Sequence, residues 1–571
     1  MKLSDYVAKL LKSIGVEYVF GYQGGSITHL IESFDSVGIN YIQNYNEQGS
    51  AFAADAYSRV CNKGIGVAIA SNGPGATNLI TGIADAYCDS VPVLYITGQV
   101  HTWGMKKNAE IRQESFQEID IISMVKPITK YAVTIMKAMD IKYEIEKAVS
   151  IAMEGRKGPV LIDIPVDIQG TDIDENKLEG YVVDDNSYSD IDEQQFDKVI
   201  ESLENSRRPV ILVGGGVSSH EAKLALRKFV EKNSIPVVSS LQGLDVINHD
   251  NKSFIGFIGT YGNRYANIAL QNADLILVLG SRLDMRQIGK DKESFAQDAQ
   301  VIHIDIDKTE LKHKIKNEIP IYGDVYSFIF NLGKAKQIYL DYSNWLNLIN
   351  NWKERYKEYQ KANVIVEVLS KMLSDNTVAI ADVGQNQMWV AQSLRIIGNN
   401  IRIINSGGLG AMGYALPAVI GAYYANKNNN IIAFMGDGGL QMNIQELCVI
   451  GSRKLPIKIF VFNNKSLGLI RDIHEKYYNS NYVGSVEGFS QPNLESLSKA
   501  YDISYVRIEN LDDLHKIAER LEDKSPILYD IILDNKTYVE PELLGMDSLD
   551  NQKPYLTEFE INKIKMELQE L

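Results

Sequence analysis

Short apolar runs that end in Gly, Asp or Asn recur along this chain, and helical patterns separate them almost throughout. The runs are "VEYVF", "GVAIAS", "PVLYITG", "PVLIDIP", "PVILVGGG", "LILVLGS", "VIHIDID", "NTVAIAD", "NIIAFMGD", "PIKIFVFNN" and "ILYDIIL". Continuous rather than alternating hydrophobicity predicts strands buried on both faces, as in parallel sheets covered by helices. The polar or glycine ends place candidate functional loops at the C-terminal edges of those sheets. The fold class is α/β with doubly wound parallel sheets. An acidic, turn-rich stretch at 170–195 and a helical connector at 335–360 divide the chain into domains 1–170, 190–335 and 360–535. Residues 536–571 form an acidic tail with a terminal helix pattern.

The formal net charge of −15 over 571 residues excludes a general nucleic-acid binder, which needs a basic face. Small anionic ligands stay open, because helix N-termini and a bound cation hold them locally. Cys61, Cys88 and Cys448 are far apart and form no CxxC, so neither a disulfide framework nor a zinc site is expected. The N-terminus reads as an amphipathic helix running into a strand rather than a signal peptide. With no apolar run of membrane-spanning length, the expectation is a cytoplasmic protein without a membrane partner.

The stretch "GDGGLQMNIQELCVIGSRKLPIKIFVFNN" (436–464) constrains the chemistry most. "NIIAFMGD" reads as a strand ending at Asp437, "NIQELCVIGSRK" as a crossover helix, and "PIKIFVFNN" as the next parallel strand, ending at Asn463 and Asn464. A right-handed βαβ unit puts both strand ends on one edge. A carboxylate, an amide oxygen and a backbone carbonyl there suit Mg²⁺, which completes its shell with phosphate oxygens and water. Gly436, Gly438 and Gly439 let a diphosphate approach the backbone and the helix N-terminus. Taken alone, a GDG turn also reads as an ordinary turn of a βαβ unit.

GDG followed by NN at this distance resembles the signature of thiamine-diphosphate (ThDP) enzymes, and the stretch is similar to that of acetolactate synthase catalytic subunits. The resemblance covers about residues 1–535. It implies a pyrimidine-binding (PYR) domain, a central FAD-type domain and a diphosphate-binding (PP) domain. It also implies that Asp437, Asn464 and the Ser466 carbonyl hold Mg²⁺, which holds the diphosphate.

Other segments carry the same resemblance. "YIQNYNE" reads as a strand with Glu47 at its end, followed by a helix. Unaided, Glu47 is a first-turn acid that favours the helix dipole. By resemblance it is a buried glutamate that bonds N1′ of the cofactor pyrimidine and drives the proton traffic behind carbanion formation. "FGYQGGS" brings Gly24 and Gly25 to the same cofactor, and in "SNGPGATNLITGIADAYCDS" glycines and Asn78 open a helix after a strand. "ESFQEID" nominates Phe116 and Gln117 for the active site, although taken alone they read as core and surface. In "DVGQNQMWVAQ", Val383, Gly384 and Gln385 line the diphosphate by resemblance. In "NSGGLGAMGYALPAVIGA", the backbones of Gly410 and Met412 meet the aminopyrimidine, and Met412 presses the cofactor into its bent shape. Met412 alone would read as core filler.

The central segments "PVILVGGGVSS", "GTYGNRYAN", "GSRLDMRQIG", "VIHIDID" and "YGDV" resemble the FAD-binding domain of acetolactate synthases. They nominate Gly214, Gly215, Gly259, Gly280, Arg282, Asp305 and Asp324 as FAD contacts. A lone GGG after a strand does not by itself specify a nucleotide.

Departures cluster where substrate is expected. "LGLIRDIHEKYY" has Ile473 where the family has a tryptophan, which opens volume and shifts acceptor choice. The family's lysine in "VPKDIQ" is Val166, its histidine in "VGQHQMW" is Asn386, and "FDDR" has become "LDMR", with Met285. Arg286 is retained, and by resemblance it meets the acceptor carboxylate. The ending "EPELLGMDSLDNQKPYL" resembles that of acetolactate-synthase-like enzymes encoded with surface-polysaccharide genes. The expected reaction is decarboxylation of a 2-oxo acid such as pyruvate, with transfer of the two-carbon unit to a second carbonyl. A nucleotide-linked keto-sugar is the alternative acceptor. A non-catalytic ThDP- or nucleotide-binding interaction protein is the alternative of another class; Glu47, Asp437 and Asn464 argue against it. The family's site forms between subunits, which implies a homodimer or homotetramer.

Overall fold

The structure, a computed structural model, describes residues 1–61, 64–108, 110–183, 191–311, 314–334, 340–357, 360–398 and 400–571. Parts of the expected boundaries, 184–190, 335–339 and 358–359, lie outside these residues. The described strands form three six-stranded sheets whose described pairings are all parallel.

The first sheet comprises β1 (Tyr18–Gly21), β2 (Asn40–Gln43), β3 (Gly66–Ala70), β4 (Val93–Gln99), β5 (Tyr131–Thr134) and β6 (Val160–Pro165) in the order β2-β1-β3-β4-β6-β5. Its residues divide by parity: Val93 and Tyr95 enter one core, while Leu94 and Ile96 enter the other. Both faces are buried, which is why the run is apolar at every position. The second sheet comprises β7 (Pro209–Val213), β8 (Val237–Ser239), β9 (Phe254–Phe257), β10 (Leu275–Leu279), β11 (Gln300–Asp305) and β12 (Glu318–Tyr322), ordered β12-β11-β10-β7-β8-β9. The third comprises β13 (Thr377–Ala381), β14 (Arg402–Asn405), β15 (Asn430–Gly436), β16 (Lys458–Asn463), β17 (Ser504–Ile508) and β18 (Ile527–Ile532), ordered β14-β13-β15-β16-β18-β17. Phe434, Phe460 and Tyr529 stack along one of its faces, with centroids 5.4 and 4.7 Å apart.

Each sheet has one point where the chain reverses its direction of travel across the strands. The chain leaves β1 toward β2 but β3 toward β4, and the same reversal separates β7 from β10 and β13 from β15. Crossovers diverge there and leave a crevice beyond the strand ends, where ligands of open α/β sheets bind.

All eleven apolar runs and "YIQNYNE" fall on strands. The expectation missed β5, β8, β9, β12, β14 and β17, each at a sheet edge or, for β8, next to one. Edge positions are covered less completely and do not require a continuous apolar run; β5 is half-buried along its whole length.

By contacts the chain forms two compact units. One comprises Met1–Asp185, Asn376–Gly384 and Ile404–Leu533 and contains the first sheet and nearly all of the third. The other, Asn186–Asp375, Gln385–Ile403 and Asp534–Leu571, is built on the second sheet. The tail belongs to this second unit: Leu543 N–H donates to the Thr260 carbonyl at 2.7 Å, and Gln552, fully buried, donates to the Gly262 carbonyl. The connector contains the helix Ser343–Arg355 and the tail ends in the helix Glu558–Gln569, capped reciprocally by Thr557 and Glu560. None of the three cysteines forms a disulfide. Among the described residues, no helix is long and apolar enough to cross a membrane.

Candidate active site

The reversal point of the third sheet gathers the GDG and NN residues. β15 stops at Gly436, one residue earlier than expected, and Asp437 is the first residue of the helix Asp437–Met442. The expected single crossover helix is three short pieces, Asp437–Met442, Ile444–Glu446 and Leu447–Ser452, broken at Asn443. The break has a cause: Asn443 takes φ −136° and its amide donates to the Gly413 carbonyl at 2.9 Å, tying the crossover to a neighbouring loop. Asp437 accepts the Gly438 N–H at 2.9 Å and, across the strand tips, the Lys465 N–H at 2.7 Å. Lys465 takes φ +55°, a left-handed conformation that costs a side-chain-bearing residue and persists only where its surroundings impose it. Asn464 and Ser466 are buried beside it, with the Asn464 amide oxygen accepting the Ser466 N–H.

Asp437 is 2% exposed, and burial pushes its carboxyl up to about 7. Among the described residues no cationic side chain pairs with it, and no group of three or more His, Cys, Asp or Glu gathers into a metal site. A cation bound here would take one carboxylate and neutral oxygens, a donor set that fits Mg²⁺ with phosphate and water completing the shell. The glycines are spatially required. A Cβ on Gly438 would lie 2.6 Å from Leu467 and 3.7 Å from Met412, and one on Gly439 would lie 2.0 Å from Asp382 Oδ2.

Asp382, absent from the expected site, organises the same edge. It is buried at the tip of β13, ahead of Val383 and Gly384, and accepts N–H bonds from Gly413 at 3.1 Å and Ala415 at 3.0 Å. Burial outweighs these bonds and lifts its carboxyl to about 6. It thereby fixes one end of the loop carrying Gly410 and Met412. Gln385 opens the helix Gln385–Ser393, and its amide donates to the Thr537 carbonyl. The signal for Asp382 was present in "DVGQ", an acid at a strand tip like Asp437.

The first sheet presents a second cluster. β2 ends at Gln43, so Glu47 is not at a strand end; it is the first residue of the helix Glu47–Val60, with Asn46 as N-cap. Glu47 is half-buried in the chain and accepts the Asn78 amide at 2.9 Å. Asn78 closes the short helix Pro74–Asn78 rather than opening it. Gly24 packs on Ser71, where a Cβ would lie 2.5 Å from the serine Cβ, and Gly25 begins a short 3₁₀ turn beside it. The Gln117 carbonyl accepts the Asn72 amide, so Gln117, at φ +63°, stands over the β3 tip. Phe116 is 85% exposed, contrary to its unaided reading as core. Glu446, from the GDG crossover, accepts the Asn44 amide at 2.8 Å and the Tyr45 N–H at 3.0 Å, holding the turn that precedes Glu47. The hydrogen bonds thus assemble Glu47 with Asn78 and Asp437 with the Lys465 backbone, as two clusters.

In the second unit the reversal point is filled largely by backbone. A Cβ on Gly214 would lie 2.2 Å from the Gly280 carbonyl oxygen, and one on Gly215 would lie 3.1 Å from Gln242. Gly259, at φ +107°, packs on Arg286, whose carbonyl accepts the Thr260 N–H. Asp305 accepts the Asp307 N–H, Asp324 the Tyr326 N–H, and Arg282 approaches Asp284 at 3.9 Å. Arg286 has an exposed side chain in the helix Met285–Ile288. In the first unit, Ile473 is 42% exposed on the helix Gly468–Tyr477, in a stripe with Ile470 and Tyr477.

Comparison with known proteins agrees with this architecture. Residues 1–124 match the thiamine pyrophosphate enzyme N-terminal TPP binding domain, 196–332 the central domain and 382–531 the C-terminal TPP binding domain. The acetolactate synthase large subunit of Lactococcus lactis subsp. lactis is 36% identical over 547 residues, covering 94% of this chain and 93% of the relative. The chloroplastic acetolactate synthase of Arabidopsis thaliana is 34% identical, covering 95% and 82%. A probable acetolactate synthase large subunit of Methanocaldococcus jannaschii is 34% identical, covering 94% and 92%. The chain belongs to the thiamine pyrophosphate enzymes and is related over nearly its whole length to acetolactate synthase large subunits.

Proposed function

We propose that the chain is a ThDP- and Mg²⁺-dependent carboligase that decarboxylates a 2-oxo acid, pyruvate first among them, and transfers the two-carbon unit to a carbonyl acceptor. The observation that carries this reading is the buried Asp437 carboxylate, joined to the Asn464–Ser466 turn through the Lys465 N–H and paired with no cationic side chain among the described residues. When bound, the cofactor supplies a carbanion-forming carbon and an electron sink for decarboxylation. Asp437, the Asn464 amide oxygen and the Ser466 carbonyl hold the cation, and the Gly436–Gly439 turn receives the diphosphate on its N–H groups. The Gly410 and Met412 backbones bind the pyrimidine ring, and Glu47 holds and releases a proton at its ring nitrogen. Arg286 orients an acceptor carboxylate. FAD bound along Gly214, Gly215 and Gly280 is part of this reading, as is assembly into a cytoplasmic homodimer or homotetramer. The matched TPP binding domains support the cofactor class.

A second reading concerns the acceptor alone. Ile473 in place of an indole favours an acceptor larger than pyruvate, such as a keto-sugar. Purified protein with ThDP, Mg²⁺, FAD and pyruvate tests both, following pyruvate loss, CO₂ and acetolactate together with a Glu47→Gln control. Glu47-dependent CO₂ release supports the carboligase. Rapid acetolactate assigns pyruvate as acceptor, and slow acetolactate directs the search to keto-sugars. CO₂ release that is absent, or unchanged in Glu47→Gln, overturns the proposal.

A further inference from the structure

The loop between β14 and the helix Ala415–Ala425 carries Gly410 and Met412, and buried side chains from beneath the first sheet grip its near end. Arg59, on the helix that Glu47 begins, donates to the Asn405 carbonyl at 3.1 Å and to Asp89 at 2.9 Å. Asp89 accepts the two consecutive N–H groups of Gly407 and Gly408, at 2.9 and 2.7 Å. Ser406 donates to Asp85 at 2.5 Å while accepting the Ala411 N–H at 3.0 Å. The grip leaves no slack: a Cβ on Gly408 would lie 2.8 Å from Cys88 and 2.9 Å from Asp89. Past the grip, Gly410 takes φ +72° with open space around it, until Asp382 fixes the far end at Gly413.

Ordinary packing does not call for this arrangement. Asp55 and Asp89 both pair with Arg59 in a desolvated place that also holds Asp85, whose Oδ2 is buried with no hydrogen-bond partner among the described residues. Such groups are costly to bury. Arg59 and Asp89 bond loop backbone directly, and Asp85 holds the Ser406 hydroxyl that in turn accepts the Ala411 N–H, so together they fix the orientation of successive peptides in a way that side-chain packing cannot. A loop that meets its ligand through its own peptide groups needs that orientation set before binding.

We propose that Arg59, Asp85 and Asp89 are positioning residues that hold the 405–412 loop in the conformation that receives the cofactor's pyrimidine ring. The inference rests on the reading that Gly410 and Met412 meet that ring. The test titrates ThDP, at saturating Mg²⁺, into the full-length protein and its Asp89→Asn, Ser406→Ala and Met412→Ala variants. Protein fluorescence gives Kd, and the Tm of each cofactor-free protein is recorded. Asp89→Asn and Ser406→Ala are expected to weaken ThDP binding by about tenfold or more, in addition to the loss of cofactor-free Tm that follows from breaking a buried polar contact. A lowered Tm with unchanged Kd in both variants, while Met412→Ala weakens binding, overturns the clamp. The reading beneath it also sets the Met412 side chain against the bound ring, and unchanged Kd in Met412→Ala overturns that contact. If Asp89→Asn does not fold, Ser406→Ala, which removes only a hydroxyl, decides.

Discussion

The backbone N–H of Lys465 meets the Asp437 carboxylate at 2.7 Å, joining the tips of β16 and β15. This bond and burial act in opposite directions on the same carboxyl, and burial wins, leaving it near 7. A charge held so unfavourably is poised to take a cation. Asp437→Asn keeps an acceptor for Lys465 but removes the charge. The expected outcome is a cofactor-free protein at least as stable as wild type at pH 8, with Mg²⁺-dependent ThDP binding weakened by roughly a hundredfold. Thermal unfolding and calorimetric titration check the two halves, and loss of stability without loss of binding contradicts the assignment.

Gly439 tests the glycine turn separately. An alanine methyl there meets Asp382 Oδ2 at 2.0 Å, so Asp382 must leave the Gly413 and Ala415 N–H groups or the helix start must shift. Overpacking of this kind costs about 1–3 kcal/mol, and it disturbs two cofactor loops together. Gly439→Ala is expected to lower Tm and to weaken ThDP binding, both measurable on purified protein. Gly410→Ala makes the contrast: open space surrounds Gly410, so the strain comes from its φ of +72° alone.

The difference between these glycines shows where sequence reasoning stops. Asp437, Asn464 and the strands under them were legible because central parallel strands must be apolar throughout, and the first polar residue therefore marks the strand tip. β5 and β17, at the edges, carry no such obligation and gave no signal. Nor did the network of Arg59, Asp85 and Asp89, whose members come from two helices and their ends and whose partners in the loop, backbone groups and the Ser406 hydroxyl, lie far along the chain. The resemblance names Gly214 and Gly280 as ligand-facing, and the structure adds that a Cβ on Gly214 would meet the Gly280 carbonyl while one on Gly280 would meet the Gly216 backbone. Met412 is nominated by resemblance alone, and the structure places its methyl where a Cβ on Gly438 would lie 3.7 Å away, beside the GDG turn.

Ile473 projects from a helix face that also exposes Ile470 and Tyr477. Replacing it with an indole fills volume without adding a charge or a hydrogen-bond acceptor. Ile473→Trp is therefore expected to favour pyruvate over a larger carbonyl acceptor by roughly tenfold or more in kcat/KM, tenfold being the scale of a single methylene in an apolar pocket. Competition between the two acceptors, read from product ratios, measures it. An unchanged ratio removes Ile473 from the acceptor site.

Asp163, 1% exposed on β6, is a buried acid that the proposed chemistry leaves unused. It accepts the Thr97 hydroxyl at 2.8 Å and, on its other oxygen, the Gln99 amide and the Thr134 hydroxyl, both at 3.1 Å. Burial prevails over these bonds and lifts its carboxyl from 3.8 to about 7. Between those values the folded chain keeps a proton that the unfolded chain has released. The stability contributed by this group is complete below about pH 4 and is lost as pH rises through 7, with a ceiling of ~4 kcal/mol. Asp163→Asn has no charge to bury: its carbonyl serves Gln99 and Thr134, and its amide donates to the Thr97 oxygen. The Tm of the variant relative to wild type is therefore expected to rise between pH 5 and pH 8. Scanning calorimetry across that range reads it directly, because every other titrating group is common to both proteins and cancels in the difference. A constant gap means that the three hydrogen bonds keep Asp163 ionised in the fold, and the sign of the burial argument at this site is then wrong.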